Sequence, residues 1–531
     1  MKVAYAKRLR GWRFWLLNLT LGLGHMVVLF NAGSYIALMP HVAGGLGGMS
    51  PSMGTWAQTD FMIALALAFP IARWLSGRYG DYPLWVAAFL GYAAASALCA
   101  VSDSIWLFLP ARIVLGFAGG VTLPIGQSLM LKEYPDRLKS LGLGVWGLFT
   151  VTPLTLGCFM GGWIADEFGW RALFGMNIVV ALAIAGITGA LLHGRGWQRR
   201  YGRFDFVGFL LLSLVLGGVQ TVFNQGNDFD WFDSPFLRAA MAAIALALPC
   251  LIVWELDEPH AAFDVRLFAQ RNFAVGVTCL TLGFLVVQGL LSLLIVQLQL
   301  LLGYSSSLAG VLFLAMILPA APVTAVMHEV VKGVDARVFA CFNLLGFAFV
   351  FFWMGSFDDP ESFDQILWPM LLFGFFLGSF FAPLTALALH GLPPGQIMRA
   401  AEEAGMLRIA AGAFGIALQG VMLFRRGPFH QLHLADQLGG RRFASLDLWR
   451  QATSRLESAG LDSAVAQGKL ASAFKQHAAI LALNDAFLMA CCLFLGLAAL
   501  VWLAHPTHLP LHPRRADELR EIRAEELMDQ P

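Results

Sequence analysis

The sequence predicts an all-α integral membrane protein with fourteen transmembrane helices. Three observations carry that prediction: the composition, the length of the apolar runs, and the placement of Lys and Arg between them. The 531 residues are 58% hydrophobic and 13% charged, whereas soluble domains hold about 45–50% apolar and about 25% charged residues. A soluble multidomain enzyme, a disulfide-stapled secreted scaffold and a disordered chain are thereby excluded. A net charge of +1 supplies no basic field for nucleic acid.

A bilayer core of about 30 Å needs roughly 20 apolar residues per helix. In chain order the runs that qualify are 14–38, 55–75, 83–102, 106–130, 140–163, 172–193, 205–225, 236–256, 273–300, 307–328, 338–356, 365–390, 403–424 and 482–504. The first follows Lys2, Lys7, Arg8 and Arg10; it is too long for a signal-peptide core, has no small-residue cleavage site behind it, and reads as a retained helix. Every second connection is rich in cations: Arg73 and Arg78, then Lys132, Arg137 and Lys139, then Arg195, Arg199, Arg200 and Arg203, then Arg266 and Arg271, Lys332 and Arg337, Arg399, and finally Arg514, Arg515, Arg520 and Arg523. The intervening short loops carry only Arg171 and Arg238. The positive-inside rule then puts both termini in the cytoplasm.

One sizeable soluble element interrupts the pattern. Segment 425–480 has helical stretches near 445–458 and 463–478 and lies outside by this topology; it is either a solvated helical hairpin or a docking surface for another protein. The tail 505–531 reads as a short cytoplasmic helix or an unstructured end. All seven cysteines lie in apolar runs, without CxxC or His/Cys spacing for zinc. Neither a metal nor a cofactor is expected, and no phosphate loop, nucleophile elbow or HExxH suggests an enzyme.

Function must reside in the polar groups kept at membrane depth, where ionisable residues are costly and mark ion or substrate pathways. Asp60 lies six residues into helix 2, about 9 Å down. Arg112 on helix 4 and Asn31 on helix 1 fall at a similar level, so the three are expected to share a pocket. If Asp60 and Arg112 meet, the pair lowers the cost of burying each charge, as a static tie between helices or as a site that a proton or substrate contests. His25, midway along helix 1, is either a proton-exchanging group or a neutral core histidine. Glu402 and Glu403 read as caps at the start of helix 13. Arg408, two turns further, either attracts an anionic group or snorkels to the surface. Asp485 is expected at the outer interface.

The stretch LFLPARIVLGFAGGVTLPIGQSLMLKEYP (107–135) resembles the helix 4 motif of the major facilitator superfamily, with Arg112 and Gly116 on its arginine and glycine. GCFMGGWIADEFGWRALFGMNI (157–178) resembles the antiporter motif of helix 5, Gly157, Gly161 and Gly162 included, and the WRxxF start of helix 6. GGVQTVFNQGNDFDWFDS, FDVRLFAQRNFAVG, QLQLLLGYSSSLAG and LALHGLPPGQIMRAAEEAGMLRIAAGAFG are similar to the fourteen-helix drug:proton antiporters of the EmrB type. The resemblance implies a major facilitator fold: a six-helix bundle in 1–200, two inserted helices in 201–262, a second six-helix bundle in 263–504 and a tail in 505–531. It implies substrate binding between the bundles and alternating access. It further implies export of small amphipathic compounds in exchange for protons, with a periplasmic membrane-fusion adaptor and an outer-membrane channel as partners.

The chain departs from the family pattern in three places. The loop 2–3 motif GxLaDrxGrr is here RWLSGRYGDY: Arg73 replaces the first glycine and Gly77 the acid that helps latch the cytoplasmic face, while Arg78 and Gly80 remain as candidate gating residues. In helix 5 the proline after Gly157 is Cys158, and Pro153 lies about one turn earlier, shifting the kink. In helix 1 the aspartate of the LDxTI pattern is Asn31, which does not titrate; if coupling needs a carboxylate at that level, Asp60 on the adjacent helix is the best replacement candidate. Three functional readings stay open at this stage: a proton-coupled exporter, a uniporter or symporter for one metabolite, and a non-transporting scaffold or sensor.

Overall fold

A computed structural model describes residues 9–48, 50–135, 138–193, 202–300, 303–357, 363–438, 443–460 and 462–507. The described residues contain helices and no strand. They run α1 Trp12–Gly45, α2 Pro51–Tyr79, α3 Asp81–Val101, α4 Ile105–Glu133, α5 Lys139–Phe168, α6 Arg171–Leu192, α7 Phe206–Gln225, α8 Pro235–Asp257, α9 Arg271–Leu300, α10 Ser306–Ala315, α11 Ile317–Val330, α12 Ala336–Met354, α13 Phe363–Leu389, α14 Pro394–Leu438, α15 Phe443–Ser458 and α16 Ser463–Leu500. Among the described residues fourteen spans are long and apolar enough to cross a membrane, with α10 and α11 forming the tenth across a break at Met316. The chain is therefore a multi-pass membrane protein. Of the expected tail, 508–531 lie outside the described residues; residues 505–507 are tied down, with the His505 amide donating to Asn272 Oδ1 (2.6 Å) and Thr507 Oγ1 accepting from the Ala336 amide (2.9 Å).

Hydropathy locates the spans but truncates the helices, because a helix continues past the bilayer wherever no residue breaks it. The clearest case is the thirteenth span: α14 starts at Pro394 rather than near 403 and runs to Leu438, 45 residues, a contour of about 68 Å. With α15 and the first turns of α16 it projects beyond the membrane region, so the described residues of segment 425–480 are mainly helical as expected, but two of the helices are continuous with spans. Glu402 and Glu403 consequently sit in the third turn of α14. The expectation that they cap a helix start is corrected.

Each bundle repeats one packing scheme. In the first, α1 packs on α5, α2 on α4 and α3 on α6; in the second, α9 packs on α14, α11 on α13 and α12 on α16. First helix meets fifth, second meets fourth, third meets sixth, in both halves. The halves join reciprocally: α5 lies on α10 and α11, while α2 lies on α14. The inserted pair α7–α8 leans on this second seam, α7 touching both α2 and α14. Large apolar side chains face outward as a lipid surface requires, among them Trp106, Val179, Leu210 and Leu246. Small residues let backbones touch inside: a Cβ on Gly116 would strike the Phe61 carbonyl, and one on Gly162 the Ser306 carbonyl across the bundle seam.

Candidate functional site

Arg112 on α4 is fully buried, and three acceptors from two other helices hold its guanidinium. Nη1 donates to Asn31 Oδ1 (2.5 Å), Nη2 to Gln58 Oε1 (2.7 Å) and Nε to the Ala57 carbonyl (3.1 Å). Its carbon lies 4.2 Å from the Tyr35 ring centre and 4.4 Å from that of Phe61. Gln58 is itself fixed by donating to the Ala32 carbonyl at 2.7 Å. Five donors in a planar fork suit this divergent set of acceptors, which an ammonium could not serve together. The arginine thus fastens α4 to α1 and α2 through neutral oxygens.

Asn31 and Arg112 meet, but Asp60 does not bond to either. Its half-buried carboxylate lies beside Trp56, one turn back on α2, within electrostatic range of Arg112. Among the described residues no ion pair joins the two. The nearby face of α2 meets α7 instead, where Asn224 Nδ2 donates to Thr59 Oγ1 at 3.1 Å.

His25 and Arg408 lead to a second locus. A small cavity of about 40 Å³ lies between the bundles, lined from α1, α2 and α5 on one side and α9, α13 and α14 on the other. Thr150, Gln288 and Arg408 are its polar groups; Met62, Phe284 and Phe381 are prominent among its apolar ones. The Arg408 guanidinium stacks 4.8 Å from the Phe381 ring centre and 5.5 Å from Phe284, without a carboxylate partner among the described residues. Thr150 donates to the Trp146 carbonyl (3.0 Å), so its oxygen accepts from His25 Nε2 (3.0 Å), and His25 Nδ1 is left without a partner. Gln288 Oε1 and Arg408 Nε are likewise unpartnered. Orphaned polar atoms from both bundles, set among aromatic rings, make a surface that a polar-tipped apolar molecule would satisfy. The present volume holds about one water, so such a molecule enters only when the bundles part.

The gating candidates sort by position. Gly157 and Gly161 press on α1, where a Cβ would meet the Phe30 carbonyl (2.8 Å) and Ser34 Cα (2.7 Å) respectively. Pro153 faces α1 too, its carbonyl 3.1 Å from the Cβ position of Gly33, and the Cys158 thiol donates to the Gly33 carbonyl at 3.4 Å. At the other end Gly80 adopts φ 90°, a glycine conformation that lets α2 turn directly into α3. Gly77 lies in the last turns of α2 and offers no latch. Asp81, four residues on, bonds Ser76, Ser128 and Lys132 within the first bundle. Arg78 stacks on Trp74 (5.6 Å). Arg73 crosses the seam at this end: Nη1 pairs with Glu402 (3.5 Å) and Nη2 donates to the Ala262 carbonyl (3.2 Å).

Gln58, Thr150 and Gln288 escaped sequence reasoning. They carry no charge, and a search keyed on ionisable residues passes them by; an amide or hydroxyl in mid-span is the signal that would have found them. The expected interfacial Asp485 accepts from His430 Nε2 (2.8 Å) and pairs with Arg426 (3.4 Å), both on α14.

The family model described as Major Facilitator Superfamily matches residues 21–424. The chain is 29% identical to the multidrug export protein EmrB of Escherichia coli (strain K12), over 94% of this chain and 97% of that one. It is 31% identical to the fatty acid resistance protein FarB of Neisseria gonorrhoeae, over 93% and 96% respectively. Among solved structures it is similar to an auto-inhibited POT family peptide transporter, with TM-score 0.60 and 14% identity over 94% of this chain and 99% of that one. The proton:xylose symporter XylE follows with TM-score 0.54 and 13% identity over 92% and 95%. At such identities these structures speak for the fold alone.

Proposed function

We propose, on the premise that this chain belongs to the Major Facilitator Superfamily, that it is a proton-coupled exporter of amphipathic small molecules. It is a transporter and not an enzyme. The observation that carries the substrate class is the cavity between the bundles: Phe284, Phe381 and Met62 receive an apolar body, and Arg408, Gln288 and Thr150 receive its polar end. Relatives whose names record multidrug export and fatty acid resistance agree with a site built on shape and apolarity. Transport proceeds by rocking of the bundles, residues 1–200 and 263–504, about this cavity, with α7–α8 (201–262) riding on the α2–α14 seam.

In this reading Asp60 carries the exchanged proton, since Asn31 does not titrate and Arg112 is engaged by neutral oxygens. The membrane is the bacterial inner membrane, with α1 starting in the cytoplasm. The projecting parts of α14, α15 and α16 then stand in the periplasm, where a membrane-fusion adaptor leading to an outer-membrane channel would dock.

The test is efflux from energised inverted vesicles or proteoliposomes, with a panel of amphipathic dyes and drugs, with and without a pH gradient. Gradient-driven movement by the wild type, lost in Asp60→Asn, is the expected result. Movement that ignores both the gradient and the substitution would refute proton exchange at Asp60.

A further inference from the structure

Helix α8 is the least enclosed span: only Leu237, Ala247, Leu251 and Glu255 are buried among its 23 residues. A helix so bathed in lipid has no packing reason to bury a carboxylate. Yet Glu255 is fully buried, at the end of the molecule where α1 begins, and it joins a group of acids drawn from three elements.

The segment between α8 and α9 organises that group. Three successive backbone N–H groups are each taken by a different carboxylate: Ala262 donates to Asp205 (3.3 Å), Phe263 to Glu255 (3.2 Å) and Asp264 to Glu403 (3.0 Å). Carbonyls of the same segment accept from arginines of opposite bundles, Ala262 from Arg73 on α2 and Ala261 from Arg399 on α14 (2.8 Å). Arg399 also pairs with Glu403 (3.1 Å) and Asp264 (3.3 Å). Arg266 pairs with Asp264 (2.8 Å), and Glu402 with Arg73. Gly208 at the start of α7 sits against the carboxylates of both Asp205 and Glu255, leaving no room for a Cβ.

The donors are unevenly shared. Asp205 has donors on both oxygens, accepting from the Gly208 amide (2.8 Å), Trp254 Nε1 (2.9 Å) and the Ala262 amide. Glu255 and Glu403 are 0% and 3% exposed, and each keeps one carboxylate oxygen buried without a donor. Five carboxylates (Asp205, Glu255, Asp264, Glu402, Glu403) face three guanidinium groups (Arg73, Arg266, Arg399). A buried oxygen with no donor beside other negative charges is the arrangement in which a proton substitutes for the missing partner.

We propose that Glu255 and Glu403 form a second proton-binding site, which couples protonation to closure of this end of the bundle seam through the Arg73–Glu402 pair. Loss of the proton adds negative charge facing Arg73 and Arg399 and draws α2 onto α14. Gain of the proton relaxes that attraction and lets the seam open. If this end is cytoplasmic, the deprotonated protein closes inward access and presents its cavity to the far side, and the protonated one returns. That is the sign an antiporter needs. The site gives the inserted helices a role, since α7 and α8 supply Asp205 and Glu255. The coupling step rests on the export reading; the proton site itself does not.

The experiment is infrared difference spectroscopy of the full-length protein in lipid bilayers across a pH titration, on wild type, Glu255→Gln and Glu403→Gln. Glutamine keeps the shape and the bond to the backbone amide. A protonated-carboxyl band that titrates in the wild type should lose intensity in each variant. In proteoliposomes, gradient-driven accumulation of ethidium should fall in both variants to the level reached without a gradient. Unchanged carboxyl bands in both variants would overturn the proton site. Bands lost with gradient-driven accumulation retained would overturn the coupling. A wild type that moves no dye while the band titrates would count against the export reading and support the site. Should Glu403→Gln fail to fold, Glu255→Gln on the lipid-facing helix decides alone.

Discussion

The bond between Arg112 and Asn31 is the interaction whose energy the structure defines most closely. Asn31 is buried, its Oδ1 accepts from Arg112 Nη1 at 2.5 Å, and its Nδ2 has no partner. Its polarity therefore serves the arginine. A hydrogen bond to a charged group contributes about 1.5–3 kcal/mol net, and the buried Arg112 donor left unpaired costs about 1–3 kcal/mol. Asn31→Leu should destabilise by about 3 kcal/mol while Arg112 is present, and by much less in an Arg112→Met background. The coupling energy of the double-mutant cycle is then about 2–3 kcal/mol. Reversible unfolding in mixed micelles, followed by the reactivity of the buried thiols Cys99, Cys158 and Cys279, measures all four corners. A coupling below about 0.5 kcal/mol would refute the assignment of Asn31 as a neutral counterpart to the buried charge.

Two further predictions test the seam and the second bundle. Gly162→Val places a side chain against the Ser306 carbonyl, so α5 and α10 cannot close; efflux should fall about tenfold or more, a barrier change of about 1.4 kcal/mol or greater. Cys158, 2% exposed in the wild type, should then become reachable by a membrane-impermeant thiol reagent. Asp335 lies outside the spans: burial pushes its carboxyl up, but bonds from Arg337 and Thr507 outweigh that and hold it at about 2, against an ordinary 3.8. A depressed carboxyl stabilises above its unfolded value, so this contribution, roughly 2 kcal/mol, is complete above pH 3.8 and disappears as the pH falls through about 2. Asp335→Asn should lose it at neutral pH, and thermal unfolding of the two proteins should converge in acid.

Composition and run length alone determined that this chain spans a membrane fourteen times, because the cost of leaving backbone groups unpaired in lipid dictates helices of a set length. Positions of Asn31 and Arg112 at one depth were legible for the same reason: rise per residue converts sequence distance into depth. Depth, however, is one coordinate. Azimuth around each helix decides who touches whom, and it depends on packing that no single helix encodes. So Asp60, at the right level, turned away from Arg112, while the uncharged Gln58 two residues earlier took the bond. Hydropathy likewise could not see that α14 begins at Pro394, since polar turns carry no membrane signal, and this misplaced Glu402 and Glu403 as caps. The crossing of Arg73 to Glu402 joins residues 329 positions apart. Only the tertiary structure decided that contact, because it exists where two bundles meet and neither half of the sequence contains both partners.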